Sequence, residues 1–357
     1  MKIFVSTGEV SGDLHLSYLA KVIRKKYPDC ELYGVAGHHS REAGVTVIQD
    51  IQELAIMGFL EAFKKYSFLK EKMESYLQFI EKEKIEKVLL IDYGGFHLKF
   101  LKALKERCPD VKVNYYIPPK LWVWGKKRIQ SLRLADEIMV IFPWEVDFYQ
   151  KEGVKVHYFG NPLVETCPPR KQSGDKILLL PGSRKQEILS VMEIYYDLIL
   201  RNPKQEFLLK LSNEEAFSFL PKEMKDLPNV EIIFGKDLGE IVKKCSYAVA
   251  VSGTVTLELA LFDVPSIVVY RTSFLNYFIA KYLLKVGYIS LPNITLGEEV
   301  FPELIQKDCE VKNIEQYLEK IKQNPASWKK KLESVRESLS GENIIENYAD
   351  FLVEGEK

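Results

Sequence analysis

The sequence predicts two α/β domains of one architectural type, each a parallel sheet covered by helices on both faces. Short apolar runs alternate with longer segments of helical periodicity in the first half of the chain, as in strand–helix–strand units. A second series of the same kind occupies the second half. Between them, residues 160–174 (GNPLVETCPPRKQSG) contain three prolines and two glycines, which is typical of a domain linker.

The first domain is expected to cover residues 1–165. Five apolar runs predict its strands: KIFVST, ELYGVAG, KVLLID, KVNYYI and EIMVIF. Continuous apolar runs of this kind indicate strands that are buried on both faces of a parallel sheet. After the first strand, apolar residues at helical spacing predict the first helix, from Leu14 through Tyr18, Leu19 and Val22 to Ile23. The domain is therefore predicted to be Rossmann-like.

The second domain is expected to cover residues 166–325. Its predicted strands lie in KILLLPGSR, EFLLKLS, VEIIFG, YAVAVSGT and SIVVYR. Helical periodicity predicts helices from Ile188 to Leu200 and from Leu257 to Phe262. Residues 326–357 are charged and helical in period, with a break at residues 338–341. We expect these terminal helices to pack back on the N-terminal domain.

Composition excludes one class of partner. The chain has 357 residues, of which 46% are hydrophobic, and its 50 Lys and Arg balance 50 Asp and Glu. Such a composition is typical of a globular protein with a sizeable core. A net charge near zero offers little attraction to a long polyanion. We therefore expect a folded protein that does not bind nucleic acid.

Cysteine and histidine usage predicts no disulfide framework and no metal site. The five cysteines are widely spaced, form no CxxC motif and are odd in number, which favours reduced thiols. The five histidines form no cluster with metal-ligand spacing.

The N-terminus lacks the apolar segment of a signal peptide, and no apolar run approaches the roughly 18 residues of a membrane-spanning helix. We expect a cytoplasmic protein that is either free or attached to a membrane surface.

The first polar motif at a strand end is GEVSGD, residues 8–13. Because ligands of open parallel sheets bind outside the carboxyl ends of the strands, Glu9, Ser11 and Asp13 are candidate binding residues. The alternative is an ordinary strand-to-helix turn with Ser11 or Asp13 as the N-cap. Neither GxGxxG nor a P-loop motif occurs in the chain, which speaks against a dinucleotide or P-loop site.

A carboxylate follows another strand of the first domain. Asp92 comes directly after KVLLI and precedes two glycines that allow close approach of a ligand. A carboxylate in this position can take a proton from an attacking hydroxyl group. His97, on the same loop, is a second candidate base. The alternative is that Asp92 caps a helix and that His97 lies at the surface or in the core.

Two helix starts in the second domain are candidate anion sites. LLLPGSR ends a strand at Gly182, where backbone N–H groups and Arg184 can bind phosphate. Ser252, Gly253 and Thr254 lie at a second strand-to-helix junction. Two such sites in one domain indicate a diphosphate. Because the Glu258 carboxylate would repel phosphate, we expect it to accept hydrogen bonds from the hydroxyl groups of a ribose.

Residues 55–73 (AIMGFLEAFKKYSFLKEKM) combine aromatic and aliphatic side chains with lysines. This mixture suits a segment that inserts apolar side chains below lipid headgroups while lysines meet anionic lipid. The alternative is an amphipathic helix that faces the core. The side chains predicted to contact the membrane are Ile56, Met57, Phe59, Phe63, Phe68 and Leu69.

Taken in order, these motifs resemble the lipid-A-disaccharide synthase family. They are GEVSGD, the Asp92 loop, the proline and tryptophan segment YYIPPKLWVWGKKR, GNPL, LLPGSR, SGTVTLE, SLPN and PELIQ, and they span Met1 to Gln306. The resemblance implies the GT-B glycosyltransferase fold. In that fold two Rossmann-like domains face each other across a cleft, and the C-terminal domain holds the UDP-sugar.

The resemblance also implies a reaction. UDP-2,3-diacylglucosamine and 2,3-diacylglucosamine 1-phosphate (lipid X) are joined into a β-1,6-linked disaccharide 1-phosphate, and UDP is released. Asp92 corresponds to the family's catalytic base. Arg184 and the amides near Gly253 and Thr254 would stabilise the leaving diphosphate without a metal or other cofactor. The residues that complete the nucleotide pocket would be Ser183, Glu258, Asn293 and Gln306.

Two departures from the family pattern stand out. After Asp92 the family usually has a proline, an acid and Phe-Asn, where this chain has Gly94, Gly95, Phe96 and His97. Where the family commonly has Gly-His-Pro, this chain has an asparagine, Asn161. The reaction class is expected to be unchanged, whereas the local geometry at both places is expected to differ.

Both substrates carry acyl chains, so the resemblance favours the membrane interpretation of residues 55–73. It implies a peripheral protein on the inner face of the inner membrane, and it leaves a homodimer open. Two alternatives are another GT-B enzyme, such as a UDP-sugar 2-epimerase, and a noncatalytic peripheral membrane protein with a sugar-nucleotide pocket.

Overall fold

The structure is a computed structural model, which describes residues 1–53, 62–119, 121, 128–271 and 287–355. The chain divides into two compact units. The first comprises Met1–Pro162 with Gly341–Lys357, and the second comprises Leu163–Ser340.

The first unit contains a six-stranded parallel sheet. The strand order is β3-β2-β1-β4-β5-β6, which is the Rossmann order. In the edge strand β3, Thr46 and Ile48 are exposed and the buried residue is the polar Gln49, so it lacks the apolar run by which the other strands are predicted. The strands are β1 Lys2–Ser6, β2 Glu31–Ala36, β3 Thr46–Asp50, β4 Lys87–Ile91, β5 Lys112–Tyr116 and β6 Glu137–Met139.

The helices of the first unit pack against the faces of this sheet. The first helix buries Leu16, Leu19, Ala20 and Ile23, which recur at the spacing of one helical face. The helices are α1 Val10–Lys26, α2 His38–Glu42, α3 Ala62–Lys82, α4 Gly94–Arg107, α5 Ile129–Leu132 and α6 Pro143–Lys151.

The second unit repeats this architecture. Its sheet is also parallel and six-stranded, with the order β12-β11-β10-β7-β8-β9. Numbered within the unit, this is again the order 3-2-1-4-5-6. The strand β12 has only three residues, which is too short a run to predict from periodicity. The strands are β7 Lys176–Leu180, β8 Phe207–Leu211, β9 Val230–Phe234, β10 Cys245–Val251, β11 Ser266–Tyr270 and β12 Glu303–Ile305.

Helices of the second unit follow most of these strands, and the longest packs against the sheet through a continuous apolar face. They are α7 Leu163–Thr166, α8 Lys185–Arg201, α9 Leu238–Ile241, α10 Thr254–Leu261, α11 Leu291–Leu296, α12 Val311–Gln323 and α13 Pro325–Leu339. Shorter 3-10 turns lie at Glu215–Phe219, Glu223–Asp226, Val242–Lys244 and Gln306–Asp308.

The last helix, α14 (Ile344–Glu354), belongs to the first unit. Its Tyr348 side chain is fully buried. The Tyr348 hydroxyl lies 2.5 Å from the carbonyl oxygen of Val140 and 2.9 Å from that of Gly160. It also accepts the backbone N–H of Phe159 at 3.2 Å. These contacts attach the end of the chain to the carboxyl side of β6.

The helix α13, in contrast, belongs to the second unit, although residues 326–357 are all predicted to pack on the N-terminal domain. The reason is Arg336, whose guanidinium donates to the carbonyl of Val164 at 2.9 Å and to that of Leu261 at 2.5 Å. It also donates to the carbonyl of Cys167. The break near residue 340 therefore separates a helix of one unit from a helix of the other.

Each sheet has one point where the strand order reverses. In the first unit this point lies between β1 and β4, and in the second it lies between β7 and β10. The loops that leave neighbouring strands there run to opposite faces of the sheet, which opens a crevice at the carboxyl edge. The motifs GEVSGD and Asp92 follow β1 and β4, while LLPGSR and SGTVTLE follow β7 and β10.

Tyr348→Phe is expected to destabilise the first unit by about 1 to 3 kcal/mol, because a buried N–H and a buried carbonyl lose their partner. The measurement is urea denaturation, with the free energy of unfolding compared at an unchanged m-value. Tyr317→Phe is the matched control, since the Tyr317 ring is only partly buried. Equal stability of the two variants would contradict the anchoring role of the Tyr348 hydroxyl.

Candidate functional site

The carboxyl edge of β1 and β4 brings the first two predicted motifs together. Ser6 ends β1 and pairs in register with Leu90 of β4, so the turn after Ser6 lies beside Asp92. The ring of Tyr93 covers Gly8, and a Cβ atom at Gly8 would lie only 2.2 Å from that ring. Glycine at this position therefore allows the GEVSGD turn to lie directly on the residue after Asp92.

The backbone at Asp92 has an unusual conformation. Asp92 and Tyr93 both lie in the left-handed region, with φ of 50° and 47°. Such a conformation costs a non-glycine residue roughly 1 to 3 kcal/mol and persists only where the surroundings hold it. Asp92 itself is half-buried, between the core and the surface. Two consecutive residues of this kind therefore require an external restraint.

Hydrogen bonds to the Asp92 peptide supply this restraint. The Asp92 carbonyl accepts the hydroxyl of Tyr115 at 2.7 Å and lies 2.9 Å from Nδ1 of His97. The Asp92 N–H donates to the carbonyl of Tyr116 at 3.2 Å. Both lone pairs of the carbonyl and the N–H group are thus engaged, which fixes the peptide planes on either side of the Asp92 side chain.

His97 is a core residue with two hydrogen bonds. Its side chain is fully buried among aromatic rings, with Tyr93 at 5.6 Å and Tyr115 at 6.1 Å between ring centroids. Burial lowers the pKa of His97 to about 4, so the ring is neutral near pH 7. Nδ1 faces a carbonyl and must carry the proton, and Nε2 then accepts the hydroxyl of Ser6 at 2.9 Å.

The core interpretation of His97 therefore describes it better than the predicted role of a second base. Both ring nitrogens are engaged inside the protein. Sequence analysis does not foresee this, because the partner Ser6 lies 91 residues away in the chain. The signal that was present is the small polar residue at the end of an otherwise apolar strand.

The glycine at the family's usual proline position also has a packing reason. A Cβ atom at Gly94 would lie 2.3 Å from the side chain of Pro119. The volume beside this residue is therefore filled from the loop after β5. At the next residue, Gly95, no side chain or backbone atom from elsewhere in the described residues lies within 4 Å of the Cβ position.

The GEVSGD residues separate into exposed and buried positions. Glu9 is exposed and Ser11 is half-buried, so both lie at the surface of the crevice. Asp13 is only 1% exposed. Its carboxylate accepts the backbone N–H of Gly37 at 2.7 Å and that of His39 at 3.0 Å. The Asp13 carboxylate thus caps α2 inside the protein, whereas the sequence offers it as a candidate binding residue.

In the second unit, backbone N–H groups of the turn after β7 donate hydrogen bonds to a carboxylate. Gly182 has a φ of 94°. The N–H groups of Ser183 and Arg184 donate to the Glu187 carboxylate at 3.1 and 3.2 Å, and the Arg184 guanidinium donates to it at 3.1 Å. The Arg184 side chain remains 71% exposed. These predicted anion donors therefore hold an anionic group, that of Glu187.

Glu187 is a residue that the prediction omits. It lies three residues after Arg184, in the first turn of α8, where its carboxylate accepts the backbone N–H of Arg184. The sequence signal is an acid at the third helical position after a strand-ending turn. An incoming phosphate at these amides has to share them with the Glu187 carboxylate or displace it.

The turn after β10 lies beside the turn after β7. Ala250 of β10 pairs in register with Leu180 of β7. Gly253 and Thr254 are exposed at the start of α10, and in the part of the chain that the structure describes no atom from elsewhere lies within 4 Å of the Cβ position of Gly253. The structure therefore brings the two predicted helix starts to one edge, as a diphosphate site requires. The hydroxyl of Ser252 donates to the carbonyl of Ile289 at 2.8 Å, so its contact is with a neighbouring loop.

Glu258, in α10 on the same edge, interacts electrostatically with Lys210 and Asp237. Burial raises the pKa of Glu258, and the negative charge of Asp237 raises it further. The positive charge of Lys210 lowers the pKa of Glu258 and so offsets part of the increase. Burial lowers the pKa of Lys210, while both acids oppose that shift. Lys210 is a further residue that the prediction omits, although a lysine in the apolar strand FLLKL is a visible signal.

Asn293 has a structural role in place of the predicted nucleotide contact. Its amide nitrogen donates to the carbonyl of Phe301 at 2.8 Å and to Glu303 at 2.9 Å. Its amide oxygen accepts the N–H groups of Val300 and Phe301 at 2.9 and 2.8 Å. The side chain is fully buried, so all of its hydrogen-bonding capacity is used within the loop.

The SLPN and PELIQ motifs meet through this loop. The Glu303 carboxylate accepts the backbone N–H and the hydroxyl of Ser290 at 2.8 and 2.7 Å. Gln306 follows β12 and adopts a left-handed φ of 55°. It is half-buried, and its predicted contact with the nucleotide stays a prediction.

The predicted membrane segment is covered only in part. Ile56, Met57 and Phe59 lie outside the described residues, as does the side chain of Phe63. Phe68 is half-buried, with the ammonium group of Lys72 5.5 Å from its ring centroid. Leu69 packs with part of its surface against the core of the first unit. None of the helices in the described part of the chain is long and apolar enough to cross a membrane.

Comparison with known proteins identifies relatives along the whole chain. The profile described as lipid-A-disaccharide synthetase matches residues 3–353. A lipid-A-disaccharide synthase of Geobacter metallireducens is 31% identical over 374 residues, which cover 99% of this chain and 97% of that protein. That of Coxiella burnetii is 33% identical over 328 residues, which cover 86% and 85%.

Solved structures agree on the fold. The UDP-GlcNAc 2-epimerase of Methanocaldococcus jannaschii with UDP-GlcNAc and UDP has a TM-score of 0.67 at 13% identity, covering 99% of this chain and 100% of that chain. Staphylococcus aureus MnaA with UDP has a TM-score of 0.70 at 13% identity, covering 99% and 97%. The predicted fold class, α/β with two parallel-sheet domains of the GT-B type, is confirmed. The chain belongs to the lipid-A-disaccharide synthase family of glycosyltransferases.

Proposed function

We propose that this chain transfers a 2,3-diacylglucosaminyl group from UDP to the 6-hydroxyl of 2,3-diacylglucosamine 1-phosphate, with inversion at the anomeric carbon. The products are the β-1,6 disaccharide 1-phosphate of lipid A biosynthesis and UDP. The observation that carries the proposal is the family match over residues 3–353. The likeness to UDP-GlcNAc 2-epimerases, at 13% identity, supports the fold alone.

Asp92 is the general base of the proposed reaction. Inversion needs a group that accepts the proton of the attacking hydroxyl on the side opposite the leaving group. Asp92 follows β4 at the carboxyl edge of the first sheet. Its backbone is held by hydrogen bonds to both its N–H and its carbonyl. A carboxylate held in this way loses little orientational freedom when the acceptor binds.

Arg184 and the backbone amides at the two helix starts stabilise the departing diphosphate. Negative charge grows on the UDP oxygens as the glycosidic bond to the donor sugar breaks. Donors that already point at the developing charge lower the barrier without reorganisation. In this structure the amides of Ser183 and Arg184 bind the Glu187 carboxylate, which UDP has to displace or share before these donors act on it. The exposed start of α10 at Gly253 follows the neighbouring strand.

Asp92→Asn is expected to abolish formation of the disaccharide while leaving UDP affinity unchanged, because an amide cannot accept the proton and the nucleotide site is in the second unit. The measurement is mass detection of the product after incubation with both substrates, with UDP binding followed by calorimetry. Asp110→Asn, at an exposed position, is the matched control. Wild-type protein that forms no disaccharide would overturn the proposed function, and an active Asp92→Asn would overturn the role of Asp92.

Arg184→Ala is expected to weaken UDP binding at least about tenfold, which corresponds to roughly 1.4 kcal/mol. Arg184→Lys retains the charge but loses the fork of parallel donors, so an intermediate affinity is expected. Isothermal calorimetry with UDP measures both. Arg201→Ala is the control on the opposite end of α8, where the guanidinium is 58% exposed. Unchanged UDP affinity in Arg184→Ala would remove Arg184 from the site.

We further propose that residues 55–73 attach the protein to the anionic surface of the inner membrane. The support is the interleaving of apolar side chains with lysines in the sequence, together with substrates that carry acyl chains. Aromatic and aliphatic insertion supplies the apolar part of the binding free energy, and lysines near anionic headgroups contribute about 1 kcal/mol each.

The protein is expected to sediment with vesicles that contain anionic lipid, and to do so less at high salt because the electrostatic part is screened. Lys64→Glu with Lys65→Glu is expected to reduce the sedimented fraction. Lys329→Glu with Lys330→Glu, on exposed positions of α13, is the charge-matched control. Equal sedimentation of both double variants would refute the attachment through this segment.

A further inference from the structure

We propose that His97 is a positioning residue for Asp92, which it holds in its reactive orientation through the Asp92 main chain. The inference rests on the proposed function, in which Asp92 is the general base. It concerns a residue that touches neither substrate nor nucleotide in the proposed reaction.

The geometry is a three-residue chain across the reversal point of the first sheet. The Ser6 hydroxyl at the end of β1 donates to Nε2 of His97, and Nδ1–H of His97 donates to the carbonyl of Asp92 after β4. Both distances are 2.9 Å. Ser6 is 1% exposed and His97 is fully buried. The imidazole therefore joins the two strand ends that form the crevice.

The imidazole suits this task because it is a rigid bridge with one donor and one acceptor when neutral. The Asp92 carbonyl specifies the tautomer, because a carbonyl oxygen can only accept and Nδ1 must therefore carry the proton. Nε2 then accepts a hydrogen bond from the Ser6 hydroxyl. The aromatic rings of Tyr93, Phe96 and Tyr115 surround the ring and keep it from turning. The protonated nitrogen is thereby aimed at one carbonyl oxygen.

The hydrogen bond from His97 acts on the strained part of the backbone, at Asp92 and Tyr93. Asp92 and Tyr93 both have positive φ, and the Asp92 carbonyl lies in the peptide that joins them. If the donor from His97 is lost, this carbonyl loses one of the two hydrogen bonds described above and keeps that from the Tyr115 hydroxyl. The peptide then gains freedom to rotate, and with it the direction of the Asp92 carboxylate. Small displacements of a catalytic group lower the rate steeply.

The test compares two substitutions at one position. His97→Ala removes the donor, and we expect kcat to fall roughly 10- to 100-fold while KM and UDP affinity stay unchanged. His97→Asn places an amide N–H at the same number of bonds from the main chain as Nδ1–H of the imidazole. Because the donor to the Asp92 carbonyl is restored, we expect kcat to recover to within about threefold of the wild-type value. Asparagine cannot accept a proton, so this recovery also excludes His97 as a general base.

His15→Ala is the matched control. His15 on α1 is 5% exposed, and burial lowers its pKa to about 4 as at His97. Its Nδ1 has no hydrogen-bond partner in the described part of the structure. Loss of a buried imidazole is therefore common to both alanine variants, and only His97→Ala loses a contact with Asp92. We expect His15→Ala to keep its kcat per folded molecule.

Hydrogen exchange of the peptide that covers residues 90–96 tests the same inference without catalysis. We expect faster exchange in His97→Ala than in wild type, and exchange near the wild-type rate in His97→Asn. Unchanged exchange and kcat in His97→Ala, or equal losses of kcat in the alanine and asparagine variants, would overturn the positioning role. A wild-type protein without turnover would instead refute the proposed function. The hydrogen-exchange result would still decide whether His97 restrains the Asp92 peptide.

Discussion

The reversal of strand order in each sheet is the constraint on which the candidate sites depend. Between β1 and β4, and between β7 and β10, neighbouring parallel strands send their chains to opposite faces. Only at such a point are the backbone groups beyond two strand ends left uncovered by a crossing helix. Asp92 lies at the first reversal, and Arg184 with Gly253 lies at the second. The strand order alone therefore places the residues that we propose to have chemical roles.

Buried carboxylates and amides shape the loops around these points. Asp13 holds α2 through backbone N–H groups, Glu187 caps α8, and Glu303 holds the loop that carries Asn293. Each of these side chains accepts hydrogen bonds from backbone N–H groups of its loop, which fixes the path of the chain there. Asp13, an acid that the sequence offers as a binding residue, therefore serves a loop together with Glu187 and Glu303, whereas the proposed base Asp92 lies at the edge of the sheet.

The Asp92 loop departs from the family pattern in a coordinated way. Pro119 fills the space beside Gly94, and His97 reaches both Ser6 and the Asp92 carbonyl. The strained backbone at Asp92 and Tyr93 is stabilised by these contacts and by the Tyr115 hydroxyl. Substitutions at neighbouring positions of the loop are thus linked by shared contacts, and these contacts hold the backbone of the proposed catalytic carboxylate in a changed local sequence.

The sequence by itself determined the two-domain α/β fold and the strands with apolar runs, because burial on both faces of a parallel sheet leaves a continuous apolar signature. It also determined which strand ends carry polar motifs. Periodicity missed the edge strand β3 and the short β12, since neither has such a run. Only the tertiary structure decided that Asp13 and Asn293 face inward, that His97 binds Ser6, and that α13 and α14 belong to different units. The physical reason is that these outcomes depend on hydrogen bonds between residues far apart in the chain, for which local pattern carries no signal.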